Sequence, residues 1–101
     1  MRRARALLAL TLLVGACNTP PGDATGEEIY ALLCMRCHGA DLGGGSVAPA
    51  LGPGSDVASE DDEFLEFTIR NGRGRMPSFD SLSDAQVDRL IAHIRKAQGH
   101  E

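Results

Sequence analysis

Cys34-Met35-Arg36-Cys37-His38 is the stretch of sequence that decides the fold of this 101-residue chain. Two cysteines separated by two residues and followed directly by a histidine form the pattern of covalent c-type haem attachment. On a helix, Cys37 and His38 lie three and four residues beyond Cys34, so the three side chains share one face. The motif therefore predicts thioether bonds from Cys34 and Cys37 to a haem, and an imidazole ligand from His38 to its iron.

Three other interpretations of the two cysteines compete with haem attachment. A disulfide between Cys34 and Cys37 is plausible outside the cytosol, where Cys-x-x-Cys pairs often oxidise. A zinc site needs four ligands, whereas this motif supplies at most three adjacent ones. A thioredoxin-like motif requires a βαβ context, which the glycine-rich sequence after the motif does not offer. Haem attachment is favoured, and a haem-free interaction module with the disulfide remains an alternative.

The N-terminal region has the features of a secretory signal. Arginines at the start precede an apolar run over residues 6–16 that is too short to span a bilayer. The sequence Leu13-Val14-Gly15-Ala16-Cys17 resembles the lipobox of bacterial lipoproteins, which implies cleavage before Cys17 and lipidation of its thiol. A general signal peptidase is the alternative, but it would leave Cys17 as an unpaired thiol in an oxidising compartment.

The mature chain is expected to be small and acidic. Residues 1–16 contain three of the ten Lys and Arg residues and none of the 14 Asp and Glu residues, so 85 residues with a formal net charge of −7 remain. This charge argues against nucleic acid as a partner and favours a redox partner with a basic docking face. We expect a signal peptide at 1–16, a lipidated cysteine and proline-rich tether at 17–23, and one monomeric domain at 24–101.

Three segments with helical patterns predict a small all-α domain, without strand patterns or internal repeats. Thr25 or Asp23 is the expected N-cap of the first helix. Ser59 with Asp62, and Ser83 with Gln86, have the three-residue spacing of a capping box for the second and third helices. The helices are expected at about 25–37, at 59–71, and from 83 towards the C-terminus, and Gly39 and Gly72 are expected to end the first two. The expected apolar face of the third helix consists of Val87, Leu90, Ile91 and Ile94.

The order of these features resembles the monohaem class I cytochromes c. The resemblance extends over essentially the whole chain after the tether, and its strongest elements are the attachment motif and a downstream Met-Pro pair. It implies a cytochrome c fold, in which about three main helices and their loops wrap around one covalently bound haem. It rests on Gly26 with Tyr30, the run Cys34 to His38, Pro49-Ala50-Leu51, Ile69 to Gly72, Met76-Pro77 and the C-terminal helix.

The resemblance implies that Met76 is the second axial ligand of the iron. Met76 lies 38 residues after His38, which is ample chain to pass from one haem face to the other. A thioether is a soft, neutral ligand that favours ferrous iron, so His/Met ligation raises the reduction potential. The rival Met35 lies inside the attachment motif, on the helix that covers the opposite face. Gap filling in the core is the alternative role for Met76.

The resemblance also assigns residues around the haem. It implies that the Pro49 carbonyl accepts a hydrogen bond from the second ring nitrogen of His38, which would fix the orientation and basicity of the ring. It further implies haem packing by Leu51, Ile69 and Phe79, although ordinary core packing would give the same pattern.

Two further features bear on the surface of the domain. Arg70, Arg73 and Arg75 surround Met76 and are expected to pair with haem propionates or to form a docking rim, with solvated loop charges as the alternative. His93 stands where the family usually has an aromatic residue that packs over the glycine of the first helix, here Gly26. This departure predicts a weaker contact between the terminal helices.

Together these features predict a one-electron carrier that is not an enzyme and that is held by lipid on the periplasmic side of a bacterial membrane. Two alternatives keep the haem. One is an electron-accepting subunit of a dehydrogenase or reductase, and the other is a haem sensor or peroxidase in which Met76 dissociates.

Overall fold

The computed structural model of the protein describes residues 19–100. The predictions for the signal peptide and for Cys17 lie outside these residues. The described chain forms four helices, α1 (Gly26–Leu33), α2 (Met35–His38), α3 (Asp62–Asn71) and α4 (Asp84–Ala97), with a 3₁₀ turn at Asp56–Ser59. Within residues 19–100 the only β-type pairing is an isolated bridge between Arg73 and Met76. The predicted small all-α fold is confirmed.

The first predicted helix is divided at Cys34. Thr25 caps α1 through a capping box, in which its Oγ1 accepts from Glu28 N at 3.1 Å and its own N–H donates to Glu28 Oε1 at 2.9 Å. Cys34, with φ −116° and ψ −34°, is a turn residue that separates α1 from α2, and α2 begins at the next residue. Gly39, with φ 89°, ends α2 as predicted. The prediction of one continuous helix was wrong because neither glycine nor proline marks the break.

The second predicted helix begins three residues later than expected, and Ser59 is not its cap. Asp61 takes that role, because its Oδ1 accepts from Phe64 N at 2.8 Å. The Ser59 hydroxyl instead donates to Asp56 O at 2.8 Å within the 3₁₀ turn. That local hydrogen bond removes Ser59 from capping, and Asp62 becomes the first residue of α3.

The third predicted helix is confirmed as α4. Ser83 and Gln86 form the expected capping box, with Ser83 Oγ accepting from Gln86 N at 3.1 Å. All four predicted apolar residues of α4 are buried. The core consists of Ala24, Ile29, Tyr30, Leu42, Leu51, Leu65, Ile69, Leu82, Val87, Leu90, Ile91 and Ile94.

The contact between α1 and α4 is the main helix packing of the domain. A methyl group on Gly26 would lie 2.0 Å from the carbonyl oxygen of Arg89 and 2.9 Å from Cβ of His93, so the two backbones touch here. The His93 ring lies 5.5 Å from the Tyr30 ring, centroid to centroid. His93 therefore packs against α1 at both Gly26 and Tyr30.

The segment before α1 is held against α4. The Pro21 carbonyl accepts from Gln86 Nε2 at 3.1 Å and from Ala24 N at 3.0 Å. The Gly22 carbonyl accepts from Arg89 Nη2 at 2.7 Å. These contacts form a clamp between the N-terminal segment and the first half of α4. None of the helices within residues 19–100 is long and apolar enough to cross a membrane.

Candidate functional site

The attachment motif lies on one turn that α2 completes. The Cys37 and His38 amides both donate to the Cys34 carbonyl, at 3.2 and 3.0 Å, so the three residues are held together by the backbone. Both thiols are free; that of Cys34 is half-buried and that of Cys37 is exposed. Burial, followed by the nearby Cys37, raises the pKa of Cys34 to about 12. The Cys34 thiol is therefore protonated at neutral pH.

His38 is buried and its orientation is set by a loop carbonyl. Its Nδ1 lies 2.9 Å from Pro49 O, the contact expected from the resemblance. Because a carbonyl oxygen only accepts, Nδ1 carries a proton, and in the neutral imidazole Nε2 is then the nitrogen with a lone pair for a metal. The His38 carbonyl also accepts from Gly44 N at 2.8 Å, which ties the motif to the loop that follows.

The loop that presents Pro49 needs glycine at one point. Gly44 has φ 73°, and a methyl group on it would lie 2.5 Å from Ala50 N and 2.7 Å from the carbonyl carbon of Pro49. The next residue, Leu51, donates its N–H to Leu42 O at 2.8 Å. Leu51 is buried in the core, whereas Pro49 is exposed. Backbone contacts of the loop, rather than burial of Pro49, therefore hold the Pro49 carbonyl at His38.

Two polar residues make hydrogen bonds near the site that the sequence does not predict. The Tyr30 hydroxyl donates to Gly39 O at 2.6 Å, directly after the motif. The buried Gln98 donates from Nε2 to Leu51 O at 2.7 Å, across 47 positions of sequence. Tyr30 entered only as part of a family pattern, and Gln98 gave no local signal. Neither contact can be read from residue spacing because both partners are brought together by the fold.

Tyr30 gives the domain a predicted sensitivity to high pH. Burial, with smaller effects of Cys34 and Asp41, raises the pKa of Tyr30 to about 12 from its usual 10. The folded protein therefore holds the phenol proton where the unfolded chain releases it, so stability should fall between pH 10 and 12. Because phenylalanine has no proton to release, the free energy of unfolding of Tyr30→Phe should fall less over this pH range. We expect the difference to be on the order of 1 kcal/mol after allowance for solvent screening. Urea unfolding of the unaltered protein and of Tyr30→Phe at pH 8, 10 and 11.5 would measure this difference. An equal loss of stability in the two proteins would contradict the prediction.

The loop after α3 holds Met76 by backbone contacts. Gly72 ends α3 with φ 76°, and a methyl group on it would lie 2.6 Å from Met76 O. Arg73 and Met76 pair with each other, with N···O distances of 3.1 and 2.9 Å. The Met76 side chain is half-buried and packs against the core. The turn therefore fixes the backbone position from which the Met76 thioether extends.

The far side of this loop is also fixed to α3. The Ser78 hydroxyl donates to Arg70 O at 2.6 Å, and Phe79 N donates to Ile69 O at 2.9 Å. Ile69 is buried, and Phe79 is half-buried against the core. Of the residues expected to pack against haem, Leu51 and Ile69 thus belong to the core, and Phe79 lies at its margin.

Arg70 forms ion pairs with carboxylates of two helices. Its Nε lies 3.2 Å from Glu66 Oε1 on α3, and its Nη2 lies 2.5 Å from Asp84 Oδ1 at the start of α4. The hydrogen bond to Glu66 contributes most to a raised pKa of Arg70. These pairs join the C-terminal part of α3 to the start of α4, next to the loop that carries Met76. They use two nitrogens of a guanidinium that was expected to pair with a propionate.

The other two arginines of the predicted group lie elsewhere. The Arg73 guanidinium lies over the Phe64 ring, 5.8 Å from its centroid. Arg75 is exposed, next to Met76 in the loop. The three arginines thus have different neighbours, and their role at the propionates or in a docking rim stays a prediction.

These residues are suited to a c-type haem. They offer two free thiols and a histidine Nε2 on one turn, together with a thioether on a fixed loop. Within the described part of the chain, no three His, Cys, Asp or Glu side chains are grouped to hold a metal ion alone. Several apolar side chains at the edge of the core are only partly buried, so part of their surface is available to pack against an apolar group: Leu33, Met35, Val57, Phe64, Met76 and Phe79.

Comparison with known proteins agrees with this geometry. The family described as cytochrome c oxidase, cbb3-type, subunit III, matches residues 21–94. Cytochrome c-551 of Bacillus subtilis is 39% identical over 84 residues, which cover 68% of this chain and 71% of that protein. Cytochrome c6 of a Picosynechococcus species is 31% identical over 104 residues, covering 86% of this chain and 87% of the relative.

A third relative is much longer than this chain. The dihydro-heme d1 dehydrogenase of Pseudomonas aeruginosa is 39% identical over 97 residues, which cover 93% of this chain but only 19% of that protein. The comparisons confirm the predicted cytochrome c family and its cofactor. Cytochromes c of this kind carry electrons between redox partners outside the cytoplasm. The chain thus belongs to the cytochrome c family, as a small all-α domain that binds one covalent c-type haem.

Proposed function

We propose that the protein is a one-electron carrier in which His38 and Met76 are the two axial ligands of the haem iron. This proposal rests on one observation: hydrogen bonds and close contacts of the backbone fix the segments that carry both candidate ligands. His38 is oriented by Pro49 O at 2.9 Å. Met76 lies in the turn that pairs it with Arg73 and that needs Gly72.

The chain's contribution to electron transfer follows from these contacts. The bound haem supplies a reversible one-electron change between ferrous and ferric iron. A neutral thioether from Met76 favours the ferrous form, whereas the hydrogen bond from His38 to Pro49 strengthens the imidazole as a donor and favours the ferric form. Because both loops are fixed by backbone hydrogen bonds, little rearrangement should accompany a change of charge.

Exposure and charge indicate where a partner would dock. Cys37 is exposed, so we propose that electrons leave through the surface around this attachment point. The net charge of the chain after residue 16 is −7, which favours a partner with a basic docking face. We also propose that Cys17 carries lipid and holds the domain at the periplasmic side of the membrane, on the strength of the lipobox resemblance.

Removing the Met76 thioether tests the proposed ligand pair. We expect the haem-loaded protein to show a low-spin spectrum with a methionine-sulfur-to-iron charge-transfer band. Met76→Ala should lose that band, lower the reduction potential and bind carbon monoxide readily when reduced. An optical redox titration measures the band and the potential, and spectra of the reduced protein with and without carbon monoxide measure the binding.

Met35→Ala is the matched control for this experiment, because Met35 is the other methionine among residues 19–100. It should keep the band and the potential. Persistence of the band in Met76→Ala would contradict the proposed ligand. Ready carbon monoxide binding by the unaltered protein would favour the sensor or peroxidase alternative.

A second candidate function is supported by the dehydrogenase of Pseudomonas aeruginosa, which is much longer than this chain. The chain corresponds to a 19% portion of a protein named as a dehydrogenase. A domain of this family can therefore stand within the same chain as a dehydrogenase, and this protein could serve as the electron-accepting partner of a separate one. Both functions use the same haem and differ in the donor.

A further inference from the structure

We propose that Gln98, at the C-terminal end of α4, is a positioning residue for the iron ligand His38. It holds segment 49–51, whose Pro49 carbonyl orients the His38 ring. The inference rests on the proposed function, because it takes His38 to be the iron ligand. Within residues 19–100 Gln98 forms no hydrogen bond to the attachment motif, and its side-chain partners are Leu51 and Arg95, so its influence would pass through the loop.

Gln98 is buried, with 7% of its surface exposed, and both ends of its amide are used. Its Nε2 donates to Leu51 O at 2.7 Å, and its Oε1 accepts from Arg95 Nη1 at 2.9 Å. An arginine only donates and a carbonyl only accepts, so the orientation of the amide is determined. The backbone of Gln98 is fixed as well, since its N–H donates to Ile94 O at 3.0 Å.

Segment 49–51 has no regular secondary structure and depends on contacts from two sides. The Leu42 carbonyl accepts from Leu51 N at 2.8 Å, and Gly44 abuts Ala50 N on the same side. Gln98 binds the segment from α4. Only one residue separates Leu51 from Pro49, and the proline ring limits the backbone there. A shift of Leu51 would therefore move the carbonyl that faces His38.

The Pro49 carbonyl affects the electronic character of the proximal ligand. A hydrogen bond from Nδ1–H to a carbonyl makes the imidazole a stronger donor, which stabilises ferric iron and lowers the reduction potential. Loosening segment 49–51 should weaken this bond. Loss of the Gln98 contact should therefore raise the potential, although Gln98 lies on another element of the fold.

The test uses the haem-loaded protein and three variants. Gln98→Met keeps a similar length but removes both hydrogen bonds. Gln98→Glu keeps an acceptor for Arg95 but replaces the donor to Leu51 by a carboxylate. Lys96→Ala is the matched control, because Lys96 is an exposed residue in the last turn of the same helix. The readouts are the reduction potential and the hydrogen exchange of His38 Nδ1–H, followed by NMR in the reduced protein.

We expect a positive shift of the potential in both Gln98 variants, and exchange of the His38 proton about fivefold faster, the factor that corresponds to losing one ordinary hydrogen bond. Lys96→Ala should change neither. If Gln98→Met and Gln98→Glu fold and only lower the melting temperature, Gln98 has a purely structural role and the inference is wrong. The inference is equally wrong if Gln98→Glu behaves like the unaltered protein. If the unaltered protein lacks histidine ligation, the proposed function itself fails.

Discussion

Gly26→Ala should lower the free energy of unfolding of the haem-loaded protein by about 3 kcal/mol or more, because its new methyl group would overlap the backbone of another helix. The methyl carbon would lie 2.0 Å from Arg89 O and 2.7 Å from Arg89 C. Backbone atoms within a helix cannot turn aside as a side chain can. We therefore expect α1 and α4 to separate along their main contact, at a large cost for a domain of this size.

Gly22→Ala is the matched control for Gly26→Ala. Nothing lies within 4 Å of the position that a methyl group on Gly22 would occupy. Chemical unfolding of both variants, followed by circular dichroism, would separate the clash from the general effect of a methyl group. Equal stability of the two variants would contradict the close helix contact described above.

Gly72→Ala should release Met76 from the iron in a measurable fraction of molecules. The added methyl would lie 2.6 Å from Met76 O and 2.9 Å from Ser78 N, on a residue whose φ is 76°. Together the left-handed backbone and the clash should cost about 1–3 kcal/mol. The turn can relieve the clash by moving Met76, and each 1.4 kcal/mol raises the dissociated fraction ~10-fold.

Gly74→Ala provides the control, because Gly74 also has a positive φ, of 59°, but open space around it. It should share the backbone cost and leave the Met76 backbone in place. Carbon monoxide binding to the reduced proteins, followed in a stopped-flow instrument, compares the two. The assigned role of Gly72 is wrong if both variants bind carbon monoxide at the same rate.

Helix identity could be predicted from the sequence where local hydrogen-bonding partners are unambiguous. Ser83 and Gln86 cap α4 as their spacing predicts. At α3 the spacing was misleading, because five consecutive residues, 59–63, are all polar and several could cap. Asp61 binds the helix amide while Ser59 is engaged by the 3₁₀ turn. Sequence alone does not rank such competing local hydrogen bonds.

The residues of the site could likewise be predicted from the sequence where they are neighbours in the chain, but not where distant segments meet. The motif from Cys34 to His38 is contiguous, and its arrangement follows from the pitch of a helix. The Pro49 contact was expected only through family resemblance. Gln98 and the Arg70–Asp84 ion pair depend on the packing of elements far apart in the chain, which residue spacing does not report.

A force applied to the N-terminal end of the domain would act first on the hydrogen bonds between the N-terminal segment and α4. The clamp at Pro21 and Gly22 joins that segment to Gln86 and Arg89, so force would bypass the Thr25 cap of α1. With the lipid at Cys17 proposed above, the stretch of chain from Cys17 to Pro21 could reach at most about 14 Å from the anchor to the clamp. The domain would then swing about the first half of α4, which would limit the orientations that it presents to a partner.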